Sequence, residues 1–171
     1  MKSNSAKRVA LCGILIAVAL MFSYLESFIP INIAVPGVKL GLANTVTIFG
    51  IFLLKKSDTV AVALLRVLLG GLLFQNPVVI VYSLAGAALS ILAMYIVKGI
   101  PKVGVIGVSV TGAVFHNLGQ CIVAAILLEN ENIMYYMTVL LVTGLVAGIV
   151  VGLAAGVVVE RLRGKVGEIV L

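Results

Sequence analysis

Six stretches of almost unbroken apolar residues divide the chain, at about 9–24, 40–54, 59–73, 78–97, 103–128 and 133–159, with short polar or basic interruptions between them. A bilayer leaves only the helix and the closed barrel as spanning structures, because no water is present to satisfy exposed backbone groups. These runs are too long and too uninterrupted for barrel strands of roughly ten residues. The pattern therefore predicts an all-α membrane protein. It is a six-transmembrane-helix bundle in which residues 1–171 form one integral membrane domain, although the second and third segments are short against the roughly 20 residues a span needs.

Composition agrees and narrows the chemistry. The 171 residues are 63% hydrophobic and 11% charged, against about 45–50% and about 25% in soluble domains, which excludes a water-soluble globule. Six carboxylates stand singly at Glu26, Asp58, Glu129, Glu131, Glu160 and Glu168, so neither a paired-carboxylate hydrolase nor a metal-rich centre is expected. No phosphate-binding glycine loop of the G-x-x-x-x-G-K-[ST] type occurs, so ATP-driven work would need another subunit. No catalytic residue, metal or cofactor is expected. Cys12 and Cys121 fall inside spans, where a thiol packs as a small apolar group. Lys7-Arg8 precedes an apolar run without a small-residue cleavage site, which predicts a retained first span.

The net charge of +6 reflects orientation rather than nucleic-acid binding. Ten of the twelve Lys and Arg residues fall before the first span (Lys2, Lys7, Arg8), after the second (Lys55, Lys56), after the fourth (Lys98, Lys102) and after the sixth (Arg161, Arg163, Lys165). The positive-inside rule makes that side, and both termini, cytoplasmic. A multi-pass protein of a bacterial cytoplasmic membrane is the expectation. The segment 26–39 is then the longest outer connection. It is apolar yet broken by Pro30, Pro36 and Gly37, and composition allows either a lid over the bundle or a plain interfacial loop.

Two kinds of packing surface are legible. Gly144, Gly148, Gly152 and Gly156 recur every four residues in the sixth helix, giving a smooth face for close backbone approach. Gly13 and Ala17, with Ala10 one turn earlier, form a weaker version on the first helix.

Two cations are left over from orientation. Lys39 stands at the outer mouth of the second helix, and Arg66 lies seven residues into the predicted third. Charges at such depth are expensive and usually face a protein interior or a wet cavity; snorkelling or pairing with backbone carbonyls is the structural alternative. The fifth helix carries His116, Asn117 and Gln120 within five residues, with His116 and Gln120 on the face that also holds Gly112. Such a group reads as a cavity wall or as interhelical glue. Asn44, Thr45, Thr47, Tyr82 and Ser83 lie at compatible depths. Lys39, Asn44, Arg66, Ser83, His116, Asn117 and Gln120 are the candidate substrate-binding residues. With two cations and no buried carboxylate, they describe a pocket for an anionic or strongly hydrogen-bonding ligand.

The stretches Val35-Pro36-Gly37-Val38-Lys39-Leu40-Gly41-Leu42-Ala43-Asn44, Tyr82-Ser83-Leu84-Ala85-Gly86 and Phe115-His116-Asn117-Leu118-Gly119-Gln120 resemble the bacterial family labelled heptaprenyl diphosphate synthase component I, also called the Gx transporter family. That family is similar to the substrate-binding S components of energy-coupling factor vitamin transporters. The resemblance implies six helices, an outer binding site gated by the loop between helices one and two, and docking through the first helix to a membrane scaffold driven by two ATPases. The small-residue docking pattern is altered here, since Ile14 stands four residues after Ala10, with Gly13 and Ala17 available instead. The family label implies a different partner, a soluble prenyl synthase subunit. The D-D-x-x-D motifs of prenyl synthases are absent, because Asp58 is the one aspartate. The expected partners are thus membrane lipid and either the scaffold with its ATPase module or the synthase subunit. Transport, lipid flipping and subunit anchoring all stay open at this level.

Overall fold

A computed structural model of the chain describes residues 2–28, 41–74, 77–129 and 133–170. Every regular element among them is an α-helix: α1 Lys2–Ser27, α2 Asn44–Leu53, α3 Lys56–Phe74, α4 Pro77–Lys98, α5 Val105–Leu127 and α6 Ile133–Val170. Five of these are long and apolar enough to cross a membrane. The exception is α2, whose 10 residues reach only about 15 Å at 1.5 Å per residue, half of the roughly 30 Å hydrocarbon core. The expected second span over 40–54 is therefore a half-length helix. Helices α1, α3, α4 and α6 extend beyond their predicted limits, because membrane helices continue past the hydrophobic run until a breaker or turn stops them, whereas α5 falls just inside the expected 103–128. In α6 the 38 residues span about 57 Å, which carries Arg161 and Arg163 well past the apolar stretch.

The local signals for the ends are ordinary. Pro77 opens α4, where its missing N–H costs nothing. Before α2, Gly41 takes a φ of +86°, a left-handed conformation that suits glycine, and the chain turns through Asn44 N–H to Gly41 O at 2.8 Å.

Packing centres on α5, which lies most extensively against α4 and α6, while α1 lies chiefly on α3 and α2 wedges between α3 and α6. Lipid tails are as apolar as leucine, so such helices associate by close van der Waals fit rather than by escape from water. Glycine supplies that fit. A Cβ on Gly119 would stand 2.9 Å from the Gly86 Cα, and one on Gly148 would stand 2.8 Å from the Val110 Cα. Gly144 and Gly152 make similar approaches to Asn117 Nδ2 and the Ile106 Cα, at 2.6 and 2.9 Å from the added Cβ. Ile48, Ile51, Met94, Val108, Val151 and Ala155 fill the central core where α2, α4, α5 and α6 meet.

The basic stretches gather at one end. Arg8 holds Asp58 through two hydrogen bonds of 2.7 and 2.8 Å, and Lys98 lies in electrostatic range of Lys56 and Arg163. Lys98 also donates to Ile51 O at 2.6 Å. It thereby satisfies one of the carbonyls left open at the C-terminal end of α2.

Candidate functional site

Midway through the bundle, α2, α3 and α5 bring polar side chains together. Arg66 lies ten residues into α3, about 15 Å from the start of the helix, deeper than the shorter predicted segment implied. Its residue exposure is 8%. Nη2 donates to Asn44 Oδ1 at 2.6 Å, and Asn44 is the first residue of α2. One turn on, Thr47 is 3% exposed. A helical threonine commonly bonds the carbonyl four residues back; here Thr47 Oγ1 has no partner, and neither does Arg66 Nε, while His116 Nδ1 makes no bond of good geometry although the Gly86 backbone lies beside the imidazole. His116 is half-buried, with Nδ1 shut away from the surface.

His116 owes its position to Gly86. A Cβ there would lie 2.6 Å from His116 O, 2.7 Å from Gln120 Cγ and 3.3 Å from His116 Nδ1. Glycine in α4 is what lets α5 bring this imidazole so close. Gln120 Nε2 donates to Ser83 Oγ at 3.0 Å, fixing the wall between α4 and α5. The charge of Arg66 is felt by His116 and by Glu26, so the cluster is electrostatically connected across α1, α3 and α5.

Glu26 corrects the expectation of a pocket without a buried carboxylate. It is 6% exposed, and its Oε1 accepts the Leu42 N–H at 2.6 Å. From α1 it therefore caps the turn that starts α2, whose own N-cap residue Ala43 supplies no side-chain cap. Sequence reading placed Glu26 on the outer surface. The available signal is its solitary position at the end of an apolar helix; the turn it caps begins fifteen residues further on, and nothing local in the sequence joins the two.

The other candidates divide. Asn44, Arg66, Ser83, His116 and Gln120 belong to the cluster or its wall. Asn117 points the other way, donating from Nδ2 to Leu140 O at 2.7 Å, which engages it with α6. Lys39, and nearly all of the 26–39 connection, lie outside the described residues. Gly144, Gly148 and Gly152 sit against α5, whereas Gly156 is looser, with Val105 Cβ 4.0 Å from an added Cβ. Ala10, Gly13 and Ala17 are exposed along α1, and nothing lies within 4 Å of a Cβ on Gly13.

Unpaired polar atoms deep in an apolar bundle are costly, about 1–3 kcal/mol each. Arg66 Nε is a donor, while Thr47 Oγ1 and His116 Nδ1 each either donate or accept. Such a set suits a ligand rich in acceptor oxygens.

The fold and this buried polar cluster define a multi-pass helical membrane protein with a candidate ligand site inside the bundle. The chain matches the family model for heptaprenyl diphosphate synthase component I over residues 15–158. It belongs to that family. Comparison with curated proteins and with solved structures returns no match.

Proposed function

We propose that this chain is the substrate-binding component of a membrane transport system. It captures a small anionic or amphiphilic metabolite from the non-cytoplasmic side of a bacterial cytoplasmic membrane and depends on a separate energising module. The observation that carries the reading is the set of buried polar atoms on three helices whose bonding is unfilled, Thr47 Oγ1 and Arg66 Nε without a partner and His116 Nδ1 with only the Gly86 backbone beside it. Asn44 orients the guanidinium, and Gln120 and Ser83 close the wall. Glu26 offsets part of the Arg66 charge, which favours a ligand whose anionic group approaches from the His116 side. The exposed Ala10, Gly13 and Ala17 edge of α1 is the surface offered to a membrane scaffold.

The test is ligand capture. Purified chain in mild detergent is exposed to a metabolite extract of the native host, washed, and its retained small molecules identified by mass spectrometry. A compound held by the wild type and lost about tenfold or more in Arg66→Ala and His116→Ala is expected, in line with hydrogen bonds to a charged group worth about 1.5–3 kcal/mol. Retention at the wild-type level in both folded variants would overturn the site.

A second reading rests on the family's description, which names a component of a heptaprenyl diphosphate synthase. In it the chain is a non-catalytic membrane subunit that anchors a soluble synthase through its basic turns. Affinity purification from the host separates the two: a scaffold with ATPases supports transport, and a soluble prenyl synthase supports anchoring.

A further inference from the structure

The glycine face of α6 changes character along its length. At Gly144, Gly148 and Gly152 the backbone of α5 or its side chains come within 2.6–2.9 Å of an added Cβ, but at Gly156 the nearest atom is Val105 Cβ at 4.0 Å. The two helices separate here, and a groove of about 630 Å³ opens between the start of α5 and the last third of the α6 span. Ile106, Leu153, Gly156 and Val157 form its sides, with Glu160 and Arg163 at its charged end. Ile106, Leu153 and Val157 are exposed, so the groove opens on the outside of the bundle. Both bordering helices are long and apolar enough to cross the membrane. A groove on the outside of two such helices is of a kind that lipid can occupy.

The charges select among lipids. The groove ends at the basic end of the bundle, where Lys98 lies in electrostatic range of Arg163 and Lys56. Glu160 is the acid among the residues lining the groove. The wall also contains the first turn of α5, whose N-cap Gly104 gives no side-chain cap to the helix's leading N–H groups. A helix start of this kind favours an anion, here as an addition to the cation beside it. Basic pockets between helices near the cytoplasmic face are suited to anionic headgroups.

We propose that this groove holds one anionic phospholipid, with its phosphate between Arg163 and the first turn of α5 and an acyl chain along Ile106, Leu153, Gly156 and Val157. The glycine at 156 is then there to admit the chain, whereas those at 144, 148 and 152 admit a helix. The lipid's polar group lies on the Arg163 side, away from the Glu160 carboxylate.

The experiment is native mass spectrometry of the full chain released from detergent micelles doped with phosphatidylglycerol, phosphatidylcholine or inorganic phosphate. Wild type is expected to retain one phosphatidylglycerol and to show no comparable retention of phosphatidylcholine. Arg163→Gln should lower retention about fivefold, matching about 1 kcal/mol per basic residue at a membrane surface. Gly156→Leu, whose Cβ would meet Val105 Cβ at an ordinary 4.0 Å and whose longer side chain would fill the groove, should abolish it. Equal retention of the two lipids, phosphate binding as tight as lipid binding, or unchanged phosphatidylglycerol retention in either variant would overturn the proposal. Arg163 is exposed, so Arg163→Gln remains informative should Gly156→Leu fail to fold.

Discussion

Glu26 at the end of α1 accepts the backbone N–H of Leu42 at 2.6 Å, which joins the two helices on either side of the longest outer connection. The carboxylate is buried, and its negative charge sits where the positive end of α2 and the Arg66 guanidinium both favour it. A position that reads as the start of the outer connection is thus a structural anchor beside the candidate site.

Replacing Glu26 by Ala should lower unfolding stability by about 1.5–3 kcal/mol, the range for a hydrogen bond to a charged group. Glu26→Gln keeps an acceptor oxygen and should retain more than half of that stabilisation. Denaturant unfolding in a fixed detergent measures both; equal losses in the two variants would count against the cap.

Asn117 and His116 are adjacent yet should behave oppositely. Asn117→Ala removes the bond to Leu140 O and should lower stability by about 0.6–1.7 kcal/mol, as interhelical bonds in membranes do, with ligand retention unchanged. His116→Ala removes an imidazole whose Nδ1 makes no bond of good geometry, with the Gly86 backbone beside it; ligand retention should fall by more than stability does. Thermal unfolding and the capture assay, run side by side, decide this.

The glycines differ in the same way. Gly148→Ala places a methyl 2.8 Å from the Val110 backbone and should cost about 1–3 kcal/mol through overpacking. Gly13→Ala meets nothing within 4 Å and should gain about 0.5–1 kcal/mol from helix propensity. Unfolding midpoints of the two variants give the comparison.

Lys98 is committed to Ile51 O and lies 5.2 Å from the Phe52 ring centroid, so it is a poor probe of partner docking. Lys98→Met should lower stability by about 0.3–1 kcal/mol through loss of a cation at a helix C-terminus. Lys55 is exposed, and Lys55→Glu should leave stability within about 0.5 kcal/mol. If the chain anchors a soluble synthase, Lys55→Glu should reduce co-purification of that partner; unchanged recovery would weigh against the anchoring reading.

The sequence by itself determined that this is a multi-pass helical protein and which stretches are helical, because lipid tolerates no unsatisfied backbone and apolar run length leaves few choices. It also singled out Arg66 and His116, since ionisable groups in such runs are conspicuous. Tertiary structure alone decided that α2 is a half-length helix whose last turn Lys98 ties to α4. It also decided that Glu26 is buried, that Asn117 turns to α6 while Gln120 turns to Ser83, and that the α6 glycines serve close packing at 148 and an open groove at 156. Which helix lies beside which face depends on side-chain fit between segments far apart in the chain. Hydrophobic run length carries no information about that pairing, so neither the partners of these polar groups nor the vacant bonds of Thr47, Arg66 and His116 can be read without the assembled bundle.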